Sequence, residues 1–184
     1  MREGGAVQHD PDRREEFERL VLPLLPSAYN VARWLTKNDS DAEDVVQEAF
    51  LRAFRFFDSF RGSDPRGWLL AIVRNTGLSW LRANRPRVLS GDPGVAEELT
   101  DEERESPEEE LLRRADGARV RQALEELAVE FREVLVLREL EELSYREISE
   151  VTGLPVGTVM SRLSRGRRRL QALLGRPSTK EART

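Results

Sequence analysis

A single imidazole, His9, and the absence of any thiol leave this 184-residue chain without the residues that most nucleophilic and metal chemistry needs. Ser-His-Asp catalysis lacks its central group, because His9 lies in a polar stretch beside the start of the chain. The densest set of carboxylates is Asp39, Asp41, Glu43 and Asp44. Counted from Asp39 as a calcium loop, the sixth position is Asp44 rather than Gly and the twelfth is Phe50 rather than Glu. A hydrolytic site on Glu43 and Asp44 has no third ligand or base, so no catalytic residue, metal ligand or cofactor is expected. For Asp39, Asp41 and Glu43 the simpler role is to complement the dipole at a helix N-terminus. The chemistry that remains is ionic and hydrogen-bonding. Val151 to Lys180 contains Arg162, Arg165, Arg167, Arg168, Arg169, Arg176 and Lys180 and no acid, interleaved with Thr158, Ser161 and Ser164. Guanidinium and hydroxyl groups at that density suit phosphates and base edges.

The formal net charge of −4 hides this, because its excess acid is confined to the middle of the chain. Residues 1–90 carry a net +1, residues 91–118 a net −8 and residues 119–184 a net +3. The acidic stretch also holds Pro93, Gly94, Ser106 and Pro107 and no aromatic residue, which is linker composition. The longest uncharged run, Leu20 to Ala32, is 13 residues long and contains Pro23 and Pro26. A membrane helix needs about 20 apolar residues, and residues 1–12 lack the apolar segment of a secretory signal. A soluble, cytoplasmic protein with no membrane insertion is the expectation.

Strand alternation is absent, and Gly or Pro punctuates one helical pattern after another, so the fold class is all-α. A segment over about Arg13 to Thr36 turns Phe17, Leu20, Val21, Leu24, Val31 and Leu35 inward and is kinked or split by its prolines. The next reads as starting with a capping box over Ser40 to Glu43 and ends near Asp58, with Val45, Val46, Ala49, Ala53 and Phe57 at helical spacing. Pro65 suits the first turn of a third, which runs through Trp68, Leu69, Ile72 and Val73. Beyond the acidic stretch, Val120 to Leu135 forms one helix, or two with a break near Ala128. Ser144-Tyr145-Arg146-Glu147 is a capping box, Gly153 suits a helix end at positive φ, and Pro155 suits the next start. The organisation expected is a disordered N-terminus over 1–12, a helical domain over 13–90, an acidic linker over 91–116, a second helical domain over 117–174 and a tail over 175–184.

Helix, tight Gly turn and helix make a helix-turn-helix. On a helical projection Val156, Val159, Leu163, Gly166 and Leu170 fall within about 60° of the core direction. The opposite face is then Gly157, Ser161, Ser164, Arg165 and Arg168, flanked by Thr158, Met160 and Arg169. Small residues near the helix start permit close approach to a duplex, and Arg can fork onto guanine, so this face fits a major groove. Arg162 and Arg167 point toward the domain sides, where phosphate or intradomain contacts come first.

At these residues the chain resembles the sigma-70 family of bacterial transcription initiation factors, in the small extracytoplasmic-function (ECF) group. Asp41-Ala42-Glu43-Asp44-Val45-Val46-Gln47-Glu48-Ala49-Phe50, Asp58 to Gly62, and Trp68-Leu69 through Arg74-Asn75 look like region 2. Leu137 to Leu140, Leu143 to Ile148 and Pro155 to Arg162 look like region 4. The resemblance implies that Asp44, Gln47 and Glu48 dock on the clamp helices of the beta-prime subunit of core RNA polymerase. It implies that Phe60 and Asn75 hold a base flipped from the non-template strand at the minus-10 element, with Arg61, Arg66 and Arg74 neutralising phosphates. Thr158, Ser161, Arg162, Ser164, Arg165 and Arg168 would read the minus-35 duplex. Met160 stands where many members carry Arg, which implies an altered preference there. Promoter DNA, core polymerase and an anti-sigma protein are the implied partners, with residence at the nucleoid. The alternative is a stand-alone helix-turn-helix regulator, which needs neither the 44–48 patch nor the polar loop at 60–66.

Overall fold

The computed structural model describes residues 11–62, 64–84 and 107–175. Residues 1–10, most of the expected tail, the end of the first expected domain (85–90) and residues 91–106 of the region read as linker lie outside the described residues. Among those described, every regular element is helical.

The proline break falls where the sequence places it. Helix α1 (Pro11–Val21) gives way to a single tight turn over Leu22–Leu24, and α2 runs over Leu25–Thr36. Pro26 enters α2 in its first turn, where the missing N–H removes no intrahelical bond. Lys37, in the left-handed region at φ 64, closes α2 with its N–H on the Arg33 carbonyl. Helix α3 (Asp39–Phe56) starts differently from the capping box expected over Ser40 to Glu43. Its cap is Asn38, whose Oδ1 accepts from the Asp41 N–H at 3.0 Å, and Ser40 already lies inside the helix. The left-handed Lys37 swings the chain so that Asn38 is the extended residue facing the free N–H groups. Helix α4 (Pro65–Ala83) is capped by Asp64, whose carboxylate accepts from Arg66 N and Gly67 N at 3.0 Å each. Helices α2, α3 and α4 bury Ala28, Leu35, Val45, Ala49, Leu69 and Val73 between them. Gly77 lets α4 approach α2 closely, since a Cβ there would stand 2.9 Å from Leu35 Cδ1.

In the second half, α5 (Pro107–Glu126) begins inside the stretch whose composition reads as linker. Ala128, extended at φ −58 and ψ 142, separates it from α6 (Val129–Leu135), so two helices form rather than one. Arg132 reaches back to hold the end of α5, donating through Nη1 to the carbonyls of Glu125 and Leu127 at 3.0 Å. Burial lowers this guanidinium to about 10, which leaves it charged at neutral pH. A wide turn over Val136–Leu140 leads to α7 (Tyr145–Thr152), and α8 (Val156–Leu174) is the last described helix. Phe131, Leu135, Ile148, Val159 and Leu163 form the buried centre of this half.

The two halves lie against each other. Helix α4 packs on α7 and α2 packs on α6, so the buried apolar residues form one connected cluster from Phe17 to Leu163. The sequence leads to the expectation of two helical domains joined by an acidic linker, and says nothing of a contact between them. In the structure α4 and α7 close over the apolar side chains that face each other across the junction, Val151 among them.

Candidate nucleic-acid interface

Local chemistry fixes the helix-turn-helix tightly. The Ser144 hydroxyl accepts from Glu147 N at 3.2 Å while the Glu147 carboxylate accepts from Ser144 N at 2.7 Å, the reciprocal box expected from the sequence. Hydrogen bonding to the side chain and backbone N–H of Ser144 holds the Glu147 carboxyl below its ordinary range. Gly153, at φ 69, ends α7 with its N–H on the Ser149 carbonyl. Ser149 Oγ then donates to the Leu154 carbonyl at 2.6 Å, and Thr152 Oγ1 accepts from Leu154 N, so the turn satisfies its own polar groups. Pro155 is the extended residue from which α8 departs.

Helix α8 buries Val159, Leu163 and Gly166 against α6; a Cβ on Gly166 would lie 3.1 Å from Leu135 Cδ1. Val156, expected inward, is 41% exposed at the first residue of α8. Gly157, Met160, Ser164, Arg165 and Arg168 are exposed, and Thr158 and Ser161 are half-buried at the edge of that face. Arg165 folds back on Ser161, donating to its carbonyl at 3.3 Å and its hydroxyl at 3.2 Å. The arginines toward the sides have protein partners. Arg167 pairs with Glu139 at 2.7 Å, and Arg169 lies 4.3 Å over the Phe131 ring. Arg162 donates to Glu133 Oε1 at 3.1 Å.

The candidate single-strand site spreads along the start of α4. Phe60, read as a loop aromatic free to stack a base, is half-buried. Its ring stacks on Phe57 at 6.4 Å and tilts onto Trp68 at 5.1 Å. Arg61 and Asn75 are exposed. Arg66 and Arg74, eight residues and about 12 Å apart along the helix, both reach across to the second half. Arg66 donates to Glu141 Oε2 at 2.7 Å, and Arg74 donates to Glu133 through Nε at 2.9 Å and Nη2 at 3.3 Å. Asn30 of α2 adds a 2.6 Å hydrogen bond to Glu141 Oε1. Glu133 and Glu141 are almost wholly buried, 5% and 4% exposed at their side chains. Neither Glu133 nor Glu141 stands out in the sequence among the many glutamates near them.

On α3, Asp44, Gln47 and Glu48 share an exposed face, with Glu48 held by Arg52 at 2.7 Å. The same face carries Leu51, 59% exposed, which pattern reading passes over. Its signal is its position, three and four residues after Glu48 and Gln47 on the outward side of the helix.

Thus an acidic and amide face on α3 and a hydroxyl and arginine face on α8 occupy separate halves of one all-helical chain. Profiles described as Sigma-70 region 2 and Sigma-70 region 4 match residues 20–87 and 117–170. The RNA polymerase sigma-H factor of Pseudomonas aeruginosa is 34% identical over 176 residues, spanning 92% of this chain and 91% of that one. The chain belongs to the ECF sigma factors of the sigma-70 family. The ECF sigma factor SigE of Mycolicibacterium smegmatis is 33% identical over 168 residues, and this chain spans 65% of that relative's length. Among solved structures, the sigma factor RpoE of Bartonella quintana, in complex with the anti-sigma factor NepR, is similar at a TM-score of 0.68. It is 31% identical, over 87% of this chain and 97% of that one. In this sigma factor the region 2 match spans α2–α4 and the region 4 match runs from within α5 into α8. Among the described residues no helix is long and apolar enough to cross a membrane.

Proposed function

We propose that this sigma factor seats on core RNA polymerase through α3 and holds a two-part promoter with two different surfaces. Asp44, Gln47 and Glu48 offer carboxylates and an amide to the clamp helices of the beta-prime subunit, and Leu51 adds an apolar contact beside them. At the minus-10 element Phe60 stacks a flipped base and Asn75 reads its edge, while Arg61, Arg66 and Arg74 neutralise the strand's phosphates. At the minus-35 element Thr158, Ser161, Ser164, Arg165 and Arg168 face the duplex, with Arg162 on the flanking phosphate. Residues 13–90 and 117–174 act as the two functional units, and residues 91–116 join them. The chain gives specificity to an enzyme and performs no catalysis itself. Its partners place it in the cytoplasm at the nucleoid, where an anti-sigma protein holds it inactive.

The observation that carries this reading is the outward, acid-free face of α8 set on a helix-turn-helix, together with a separate acidic face on α3. A regulator acting alone would use the first and have no need of the second. The test is reconstitution: the purified chain with core polymerase starts transcripts at discrete positions on a genomic template library. Absence of any transcript from that holoenzyme, with a control sigma factor active, would defeat the proposal.

A further inference from the structure

Helix α8 carries an exposed row whose first members are not polar. Val156, Met160, Ser164 and Arg168 follow one another at intervals of four residues, and all four are exposed. Side chains at that spacing are neighbours on a helix, each turned about 40° from the last, so the four form one ridge. Its leading end is apolar, with Val156 41% and Met160 51% exposed. Beside them stands Gly157, where a Cβ would meet nothing within 4 Å, so no bulky side chain screens this end from an incoming surface. The nearby guanidiniums are drawn elsewhere. Arg162 donates to Glu133 at 3.1 Å, and Arg165 folds back on Ser161. The cation of the ridge itself, Arg168, lies about 12 Å beyond Met160 along the helix axis.

A single exposed apolar side chain on a protein surface is ordinary. Two adjacent ones at the start of a second helix of a helix-turn-helix occupy the part of that helix that meets base edges. The one apolar substituent that a base pair offers in the major groove is the C5-methyl group of thymine. Methionine is unbranched and polarizable, so its side chain can follow a methyl group that a stiffer one would miss. We propose that Met160, backed by Val156, reads a thymine of the minus-35 duplex through its C5-methyl group, while Ser164 and Arg168 hold the strand farther along the same ridge. The inference rests on the assignment of α8 to the duplex. Recognition is then apolar at the leading end of α8 and ionic at the trailing end. Any other base at the Met160 step leaves the side chain against polar edge atoms with no methyl group to cover.

The test uses holoenzyme reconstituted from the full chain and core polymerase, with a duplex library randomised over the minus-35 element. Bound duplexes are sequenced, and each thymine of the selected duplex is then replaced in turn by deoxyuridine, which keeps the base pair and removes only the methyl group. Expected is a loss of affinity of about fourfold at one thymine, the worth of one buried methyl group. Met160→Ala should bind thymine and deoxyuridine alike at that step, Met160→Leu should keep the difference, and Met160→Arg should move the selection there toward guanine. Because Met160 is exposed, these variants leave the fold intact. A selected duplex without thymine overturns the proposal, as does equal affinity for thymine and deoxyuridine at every position. So does a difference that survives Met160→Ala unchanged. Arg168→Ala separates this from the reading of α8. If Arg168→Ala weakens duplex binding while the methyl group has no effect, α8 still meets the duplex and the thymine assignment alone fails. If neither Arg168→Ala nor any Met160 variant changes binding, the assignment of α8 to the duplex fails and takes the proposal with it.

Discussion

A guanidinium serves one anion at a time, and the arginines of α8 divide on that basis. Arg167 and Arg169 are committed to Glu139 and to the Phe131 ring, whereas Arg165 and Arg168 stand on the exposed face. Replacing both by Glu is expected to weaken duplex binding across sequences and to reduce the dependence of log K on log salt by about two phosphate contacts' worth. Fluorescence anisotropy across a salt series measures it, and co-elution with core polymerase should be unaffected, because the proposal assigns that contact to α3. Phe60 poses a different residue-scale question, because it packs on Trp68 and Phe57 yet keeps part of its ring at the surface. Phe60→Ala is expected to lose about 1–3 kcal/mol of base stacking. Permanganate reactivity of unpaired thymines in the holoenzyme complex should fall sharply while minus-35 occupancy holds.

At the scale of the element, two glycines of the helix-turn-helix do unlike work. Gly153 sits at φ 69 with open space around it, so Gly153→Ala costs backbone energy alone, about 1–2 kcal/mol. Gly166 has ordinary helical geometry, and its Ala would press on Leu135. In urea denaturation, a double-mutant cycle with Leu135→Val should show coupling for Gly166→Ala and additivity for Gly153→Ala. The capping box makes region 4 sensitive to acid. The carboxyl of Glu147 is lowered in the folded state, so its contribution is present above the unfolded value of 4.5 and is lost as pH falls through the lower folded value. Ser144→Ala removes the hydroxyl's half of the box, about 1 kcal/mol. Because the Ser144 side chain is the largest cause of that lowering, the gap in stability between Ser144→Ala and the parent chain should narrow as pH falls below 4.5, read by thermal melts across pH. Signals of this kind are local, which is why Ser144, Gly153 and Pro155 could be read from spacing. The start of α3 could not, because Asn38 and Ser40 are both good caps and only the left-handed Lys37 decides between them.

For the whole molecule, the junction between halves couples their stabilities. With Glu141 seated on Asn30 and Arg66, and Glu133 on Arg74, the chain should unfold in one calorimetric transition. Glu141→Gln should split it into two, because each half retains its own buried centre. The composition, the helical periods, the proline break, the capping box at Ser144 and the outward arginines of α8 all follow from neighbours in sequence. Residue order alone therefore determined an all-helical chain with a helix-turn-helix near its end. Only the tertiary structure decided that the two halves touch, that Val156 is exposed, and that Glu133 and Glu141 rather than other glutamates bind Arg74, Arg162 and Arg66. Contacts between residues as far apart as Asn30 and Glu141 leave no periodic trace, because burial of a charge depends on which surfaces meet and not on what lies beside it in the chain.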